Sequence, residues 1–299
     1  MTEAERKQII ALVQREVVPA IGCTEPIAVA LCVAKATETL GAKPEKIDVL
    51  LSANILKNAM GVGIPGTGMI GLPIAIALGA LIGKSEYQLE VLKDSNPAAV
   101  EEGKRFIGEK RIDISLKKNI AEKLYIEVCC KSGGNKATAI IAGGHTTFIY
   151  IARNGDVLLN KQSAGCGEEE AQVAGLTLRK VYDFAMNAPL DEIRFILETA
   201  RLNKAAAERS FDGNYGHGLG RMLRGNYEHK ILGDSVFSHI LSYTSGACDA
   251  RMAGAMIPVM SNSGSGNQGI SATLPVLVYA EENGKSEEEL IRALMLSHL

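Results

Sequence analysis

The sequence predicts an α+β protein that is mostly helical and carries one antiparallel β-sheet, formed by about residues 111–160 together with a strand at 47–51. Near the start of the chain, apolar side chains such as Ile9 and Val13 recur at helical spacing and predict a helix over 3–18. Within 111–160 the spacing of apolar residues changes to every second position, and turn residues separate short runs in which apolar and polar residues alternate. Helical spacing then returns. These observations favour a helical protein with one sheet over a parallel, doubly wound architecture.

The other elements follow from the same patterns. Gly41 ends a helix predicted over 24–40, and Asn154-Gly155 is a strong hairpin signal within the sheet region. Further helices are predicted at 72–82, 96–110, 168–187, 189–208, 228–242, 246–260, 269–283 and 286–299. The expected organisation is one integrated catalytic domain in three parts, with helices at 1–110, the sheet at 111–165 and helices again at 166–299.

Composition and charge exclude several classes of function. With 46% hydrophobic and 22% charged residues, the 299-residue chain can bury a sizeable core. Its 32 Lys and Arg residues balance 34 Asp and Glu residues without a basic run, which argues against a nucleic-acid surface or a polybasic membrane anchor. The charged N-terminal stretch is unlike a signal peptide, and the longest apolar run, Met69–Gly83, is too short to span a bilayer. A cytoplasmic protein is therefore expected.

The cysteines form no Cys-x-x-Cys pair and no zinc-site spacing; they are at positions 23, 32, 129, 130, 166 and 248. Most are predicted to pack as small hydrophobic side chains, and the adjacent Cys129 and Cys130 must point to opposite faces of a strand. Cys23 differs, because Gly22–Pro26 places it at a helix start with Thr24 as the predicted N-cap. The helix dipole there stabilises a thiolate, which can bind iron or act as a nucleophile. The alternative is a cysteine packed beside an N-cap.

The stretch Ser261–Gly269 offers only hydroxyls, amides and backbone between two apolar segments. Its glycines let backbone N–H groups approach a ligand closely, and the stretch opens a predicted buried helix. Because oriented N–H groups at a helix N-terminus attract carboxylate or phosphate, the loop is a candidate anion site. The alternative is a polar turn between two core helices.

Two further turns and one histidine are candidates for the same pocket. Gly61–Gly68 repeats the design of a glycine loop before an apolar helix and matches no nucleotide-binding motif. Ser210–Arg221 is either a third pocket loop or a flexible connector. His145 lies at a Gly-Gly break between strands, where it either binds substrate or moves a proton, or is a hydrogen-bonded structural histidine.

Five motifs, in this order, resemble the L-cysteine desulfidase family, which is related to the iron–sulfur L-serine dehydratase α-chain and also appears under uncharacterised-family names in bacteria. The motifs are Gly22–Pro26, Asn54–Met60 with Gly63–Gly68, Gly144–Thr146, Asp249–Met252 and Ser261–Gly269. The resemblance runs from end to end of the chain. Five ordered motifs are far more specific than any single glycine loop.

The resemblance implies a β-elimination lyase that converts L-cysteine to pyruvate, ammonia and sulfide, or L-serine to pyruvate and ammonia, without pyridoxal phosphate. Relatives use a [4Fe-4S] cluster held by three cysteines, with one open iron as a Lewis acid. By matching position, Cys23 would be the first cluster ligand, while His145 and Lys57 are both candidates for the base. The substrate-binding residues implied by the two glycine loops and the motif before them are Asn58, Gly66, Thr67, Gly68, Ser261, Asn262, Ser263, Ser265, Asn267 and Gln268.

The sequence departs from the family at its C-terminal end. Relatives continue past position 299 through helices that carry the other two cluster cysteines, so the chain is expected to be truncated and the cluster to be absent or incomplete. Cys166 and Cys248 fall outside the ligand motifs of the family.

Two rival functions stay open. One is a non-catalytic module or fragment that binds an amino acid or anion, and the other is a pyridoxal-phosphate lyase that uses Lys57. No phosphate-cup motif accompanies that lysine. The preference between cysteine and serine is open, and so is the oligomeric state, for which a homodimer is one arrangement.

Overall fold

The computed structural model describes residues 1–120, 122–161, 175–224 and 232–299. The α-helices are α1 (Glu3–Glu16), α2 (Thr24–Leu40), α3 (Ala53–Ala59), α4 (Leu72–Leu81), α5 (Pro97–Gly108), α6 (Leu178–Asn187), α7 (Leu190–Ile193), α8 (Leu197–Asp212), α9 (Leu219–Met222), α10 (Val236–Met252), α11 (Gly266–Glu282) and α12 (Glu287–His298). The strands are β1 (Pro19–Ile21), β2 (Lys46–Leu51), β3 (Ile112–Leu116), β4 (Tyr125–Ser132), β5 (Asn135–Ala142), β6 (Phe148–Arg153), β7 (Asp156–Asn160) and β8 (Pro258–Met260). The predicted α+β class is confirmed.

The chain divides into two compact units. The first unit comprises Met1–Ala20, Glu168–Ala253 and Ile257–Leu299, and the second comprises Ile21–Gly167 with Gly254–Met256. The three-part division expected from the sequence stays a prediction.

The second unit contains a six-stranded mixed sheet in the order β3-β2-β4-β5-β6-β7. Its neighbours pair antiparallel except β2 and β3, which pair parallel from Ile47 with Ile112 to Leu51 with Leu116. The expectation of a purely antiparallel sheet is corrected at this pair. A parallel pair needs a long crossover, and the chain between β2 and β3 supplies one through α3, α4 and α5.

Helix α2 is the central helix of the second unit. Its residues from Ala28 to Ala34 have no exposed surface, which fits a helix that is apolar on every side. The Cys32 Sγ atom donates to the carbonyl oxygen of Ala139, 3.3 Å away in β5, so the helix lies on the sheet. A β-carbon on Gly79 would lie 2.6 Å from the carbonyl oxygen of Ala30, so α4 approaches α2 at backbone distance. This packing holds the N-terminus of α2 in place.

The first unit is helical, with α8, α10, α11 and α12 around one hydrophobic core. Strands β1 and β8 form a small two-stranded sheet that the sequence did not predict. The helix predicted at 246–260 is wrong, because α10 runs unbroken to Met252 and Pro258–Met260 is a strand. Gly246 is not a helix break. A β-carbon there would lie 2.4 Å from the Ser210 Oγ atom, so this glycine lets α10 pack closely on α8.

Within the described residues, no helix combines the length and the apolar character needed to cross a membrane.

Candidate active site

The N-terminus of α2 carries the candidate iron ligand. Cys23, rather than the predicted Thr24, is the N-cap residue, with extended backbone angles (φ −72°, ψ 133°). Cys23 is only 5% exposed, and its Sγ atom donates a hydrogen bond to Glu25 Oε2 at 3.0 Å. The residue is therefore buried, but its sulfur lies against a carboxylate. This arrangement is unlike a purely apolar cysteine pocket.

Glu25 is the centre of this cluster. The Thr24 hydroxyl donates to Glu25 Oε2 at 3.2 Å, and the Asn58 side-chain amide donates to Glu25 Oε1 at 3.3 Å. Burial alone would raise the pKa of the Glu25 carboxyl. Four favourable interactions outweigh burial and lower that pKa. They are the hydrogen bond from Cys23, the hydrogen bond from the backbone N–H of Glu25, the charge of His145 and the hydrogen bond from the Thr24 hydroxyl. Glu25 is thus an ionised, half-buried carboxylate held by three side-chain donors.

Sequence reasoning missed Glu25. It lies in the first turn of α2, where an acidic residue is ordinarily explained by the helix dipole alone. The available signal was its place beside Cys23 in the Gly22–Pro26 motif. Only the fold shows that Asn58, on α3, and His145, after β5, come to the same carboxylate.

The glycine loop at 63–68 lies beside the start of α2. Gly22 has a φ of +79°, and a β-carbon on it would lie 2.4 Å from Pro65 Cγ. Only glycine allows both that backbone angle and that approach. Within the loop, the Thr67 hydroxyl donates to the carbonyl oxygen of Ile64 at 2.8 Å and accepts from the Met69 N–H at 2.9 Å. Thr67 therefore shapes the loop, while the backbone of Gly66 and Gly68 is exposed.

The two candidate bases differ in position. Lys57 is exposed on α3, next to the half-buried Asn58 that contacts Glu25. His145 is half-buried in the turn between β5 and β6, close enough to Glu25 for its charge to lower the carboxyl pKa. Of the two, His145 is the one whose charge contributes to the lowered pKa of the Glu25 carboxyl.

The loop Ser261–Gly269 belongs to the first unit, and several of its side chains support its own backbone. Ser261 donates both its N–H and its hydroxyl to the carbonyl oxygen of Val18, at 2.9 and 2.6 Å. Asn262 is buried, and its side-chain amide donates to Nδ1 and to the carbonyl oxygen of His298, at 3.1 and 2.9 Å. Ser263 has a φ of +48° and donates its hydroxyl to Asn262 Oδ1 at 2.8 Å.

The end of this loop opens α11. Ser265 is the N-cap residue, and its hydroxyl accepts from the N–H of the exposed Gln268 at 3.3 Å. Asn267 Oδ1 accepts a hydrogen bond from Nη1 of Arg251 at 2.9 Å. The expected helix N-terminus is therefore present. That its residues line one cavity with the 63–68 loop stays a prediction.

A buried asparagine that the sequence did not point to holds this loop. Asn203 of α8 has no exposed surface. Its Oδ1 accepts from the Met260 N–H at 2.8 Å, and its amide donates to the carbonyl oxygens of Met260 and Gly269 and to the Thr273 hydroxyl, at 3.3, 3.2 and 3.0 Å. One side chain thus fixes both ends of the loop.

The third predicted loop, at 210–221, is partly helical and is organised around Asp249. The Asp249 carboxylate accepts from the backbone N–H groups of His217 and Leu219 at 3.1 and 2.8 Å. A β-carbon on Gly216 would lie 2.5 Å from Asp249 Oδ1. The structure therefore gives this turn a folded conformation built on α10.

The described residues contain no group of three His, Cys, Asp or Glu side chains arranged to hold a metal ion. Cys32 and Cys130 are buried elsewhere in the second unit, and Cys248 lies in the first unit. Cys166 is outside the described residues. Of the three thiolates that the implied cluster needs, the described Glu25 cluster provides one, Cys23, so these residues do not by themselves fit a [4Fe-4S] cluster.

Residues 86–299 match the family described as serine dehydratase alpha chain. The chain belongs to this family. A UPF0597 protein of Bacteroides fragilis is 83% identical over 299 residues, which are all of this chain and 70% of that relative. UPF0597 proteins of Parabacteroides distasonis and Chromobacterium violaceum are 61% and 46% identical, over 98% of this chain and 69% and 68% of their own lengths. No solved structure matches the chain.

Membership of the serine dehydratase alpha chain family confirms the broader part of the resemblance. The names of the UPF0597 relatives state no activity, so the narrower assignment to L-cysteine desulfidase stays a prediction. The chain spans 68–70% of the length of these relatives, and the expectation that it is truncated stays a prediction.

Proposed function

We propose that the protein is a β-elimination lyase of the serine dehydratase type, acting on L-serine or L-cysteine. It would form pyruvate and ammonia from serine, with sulfide as a further product from cysteine. The observation that carries the proposal is the ionised, half-buried Glu25, which is bonded to Cys23 and Asn58 and lies close to His145. The family match supports a lyase acting on a small amino acid.

The reaction requires a base for the Cα proton and a means of expelling the β-substituent. In our proposal, an imidazole nitrogen of His145 accepts the Cα proton, and the Glu25 carboxylate stabilises the resulting imidazolium. The electron pair of the Cα–H bond forms the Cα–Cβ double bond, and hydroxide from serine or hydrosulfide from cysteine leaves with the electron pair of the bond to Cβ. The leaving group then takes the proton from His145, as water or hydrogen sulfide, which restores the neutral imidazole. The aminoacrylate released then takes up water, giving pyruvate and ammonia.

Asn58 and Thr24 would act on Glu25 rather than on the substrate. Their hydrogen bonds, at 3.3 and 3.2 Å, fix the orientation of the carboxylate, and the bond from Thr24 also lowers its pKa. Because the lowered pKa makes Glu25 a weak base, the carboxylate suits charge stabilisation better than proton abstraction. This reasoning ranks His145 above Glu25 as the base, and we rank it above Lys57 because Lys57 is exposed on α3.

The iron–sulfur cluster remains part of the proposal only as the resemblance implies it. A bound cluster would act as a Lewis acid on the leaving group, and Cys23 would be one ligand. Cys23 would then be a thiolate and would no longer donate to Glu25, which would keep its hydrogen bonds from Thr24 and Asn58. Further ligands would have to come from beyond the described Glu25 cluster, so no step above passes through the iron. A cytoplasmic location and a homodimer are further expectations that accompany this proposal.

The proposal is tested by measuring pyruvate formation from L-serine and L-cysteine after anaerobic reconstitution with iron and sulfide. We expect His145→Asn to lower kcat about 10²–10⁴-fold, the usual contribution of a general base. Glu25→Gln should also lower kcat, by a smaller factor, because the base remains. Glu38→Gln is the matched control, since Glu38 lies on the same helix, is exposed, and accepts hydrogen bonds from Ser85.

Three results would contradict the proposal. Wild-type protein that binds L-serine but forms no pyruvate would favour the non-catalytic binding function. Full activity of both His145→Asn and Glu25→Gln would remove this cluster from the mechanism. If borohydride abolished the activity by reducing a Schiff base on Lys57, the result would favour the pyridoxal-phosphate alternative.

A further inference from the structure

An apolar groove lies on the first unit, between α10, α11 and α12. It has a volume of about 490 Å³ and opens to solvent. Among its lining residues, Pro275, Ala280 and Ala293 have short side chains, which leave a gap where α11 and α12 turn back on each other. All three helices belong to the first unit, so the groove is complete within that unit.

The lining of this groove is mostly apolar. Aliphatic side chains come from all three helices, among them Ile240 and Leu290, and the charged members, Lys285 and Glu289, form an exposed ion pair at 3.3 Å. Besides this pair, the described lining offers the Tyr279 hydroxyl as a polar side-chain group. A pocket for a polar metabolite ordinarily has several converging polar groups that fix the orientation of its ligand. The groove therefore suits apolar side chains of a protein.

Aromatic side chains protrude from the same face. Phe237 is 63% exposed and lies on α10 one helical turn before Ile240, which lines the groove. Tyr279 is 51% exposed and lines the groove itself. His239 Nδ1 and Glu282 Oε1 are 2.7 Å apart, so the start of α10 is held against the end of α11. Exposed aromatic residues beside an apolar groove are typical anchors of protein interfaces. The face thus carries both an anchor and a groove that can receive one.

The charges at the groove suit a second copy of the same chain. The Lys285–Glu289 pair supplies one cation and one anion, so the lining has no net charge. The chain as a whole has a formal net charge of −2. Two identical faces therefore meet with little repulsion, and each charge of one copy has an opposite charge to face on the other. A strongly basic or acidic partner would find no complementary excess of charge in this lining.

We propose that this face is the interface of a two-fold symmetric homodimer, in which Phe237 of each copy enters the groove of the other. In a two-fold interface both copies use the same surface, so a face with an anchor and a groove is complementary to itself. Removal of the exposed Phe237 and Tyr279 side chains from water supplies the driving force. The inference concerns assembly and does not depend on the proposed lyase reaction.

The test is self-association, measured by sedimentation velocity over a concentration series. We expect the wild-type chain to form dimers. Phe237→Ser removes the anchor and Ala293→Phe fills the groove, and each should raise the dissociation constant of the dimer by at least about 30-fold, the usual effect of losing a central aromatic anchor. Leu178→Ser is the matched control, because Leu178 is 81% exposed on α6 of the first unit and lies outside the groove lining. Its dissociation constant should equal that of the wild type.

A mixture of the two variants tests the reciprocal contact. Phe237→Ser keeps an open groove and Ala293→Phe keeps the anchor, so one of the two contacts can form between the variants, whereas neither contact can form within either variant alone. Native mass spectrometry of an equimolar mixture should therefore show more heterodimer than both homodimers together. Both substitutions are made at a surface open to solvent, so the circular dichroism and the unfolding temperature of each variant should match those of the wild type.

Four outcomes overturn the inference. These are a wild-type chain that stays monomeric over the whole concentration series, dimers that Phe237→Ser and Ala293→Phe leave unchanged, equal weakening by Leu178→Ser, and a mixture without preference for the heterodimer. A monomeric wild-type chain whose groove binds an apolar fluorescent dye, with that binding lost in Ala293→Phe, would also reject the second copy and assign the groove to a different partner.

Discussion

At the scale of single residues, the largest energetic effect is expected at Asn203. Its side chain makes four hydrogen bonds to buried groups, which are the N–H and carbonyl oxygen of Met260, the carbonyl oxygen of Gly269 and the Thr273 hydroxyl. Asn203→Ala removes the side-chain acceptor of the buried Met260 N–H and one donor to the Met260 carbonyl oxygen, whereas the Gly269 carbonyl oxygen and the Thr273 hydroxyl keep their bond to each other. We therefore expect the free energy of unfolding to fall by roughly 2–4 kcal/mol. Urea unfolding measures it. Asn187→Ala is the control, because Asn187 makes one exposed bond to the carbonyl oxygen of Asp183, and its cost should stay within about 0.5 kcal/mol.

His298 gives a prediction about pH. It is 6% exposed, and burial lowers the pKa of its imidazole to about 4. The neutral ring accepts from the Asn262 amide at Nδ1, which leaves Nε2 to donate to the Thr273 hydroxyl. As pH falls, the unfolded chain takes up this proton first. The stabilisation is therefore complete above about pH 6.5 and is lost towards pH 4, by about 3 kcal/mol in all.

The measurement compares urea unfolding of wild type and His298→Gln from pH 4 to pH 7.5. The variant should lose less stability on acidification than the wild type. His239 provides a control of opposite sign, because hydrogen bonds to Glu282 and Asp234 raise the pKa of its imidazole. Its contribution is present at low pH and is lost as pH rises through the folded pKa. Parallel pH profiles for wild type and His298→Gln would show that burial of His298 is wrongly assigned.

At the scale of elements, β4 allows a test of which face of the sheet each of its side chains lies on. Cys129 and Cys130 were expected on opposite faces, and the structure has Cys129 half-buried and Cys130 buried. Burial raises the pKa of the Cys130 thiol to about 12, so almost none of it is thiolate at neutral pH. We expect iodoacetamide to alkylate Cys129 and to leave Cys130 unmodified until the protein unfolds. Mass spectrometry of peptides from Cys129→Ser and Cys130→Ser variants separates the two; rapid native alkylation of Cys130 would place it on the wrong face.

The helices and strands also show which features of the fold can be predicted from sequence patterns. Helix α2 was predicted with its observed bounds, because Gly41, which has a φ of +75°, ends it as expected. The parallel pairing of β2 with β3 was not predictable, because residue spacing within a strand carries no information about the direction of its neighbour. The break expected before Gly246 was wrong for a similar reason. A glycine that ends a helix and one that permits close packing look alike until the partner helix is known.

The candidate site shows the same division. Cys23, Asn58 and His145 were selected from local signals, namely a helix start, a motif and a glycine break. The structure brings all three to Glu25. Glu25 was not selected, because two of the residues that act on it, Asn58 and His145, are distant in sequence. Whether a charged side chain such as that of Glu25 is buried depends on the fold and cannot be predicted from its neighbours in sequence.

At the scale of the whole molecule, the two compact units are expected to unfold as separate cooperative units. The first unit has its own hydrophobic core, and the second is built around α2 and the mixed sheet. Differential scanning calorimetry should therefore show two transitions, with a van't Hoff enthalpy below the calorimetric enthalpy.

Asn203→Ala should lower the midpoint of one transition. Gly79→Ala, whose methyl group would meet the carbonyl oxygen of Ala30, should lower the other by a cost of roughly 1–3 kcal/mol. One two-state transition that both variants shift equally would mean that the molecule unfolds as a single unit.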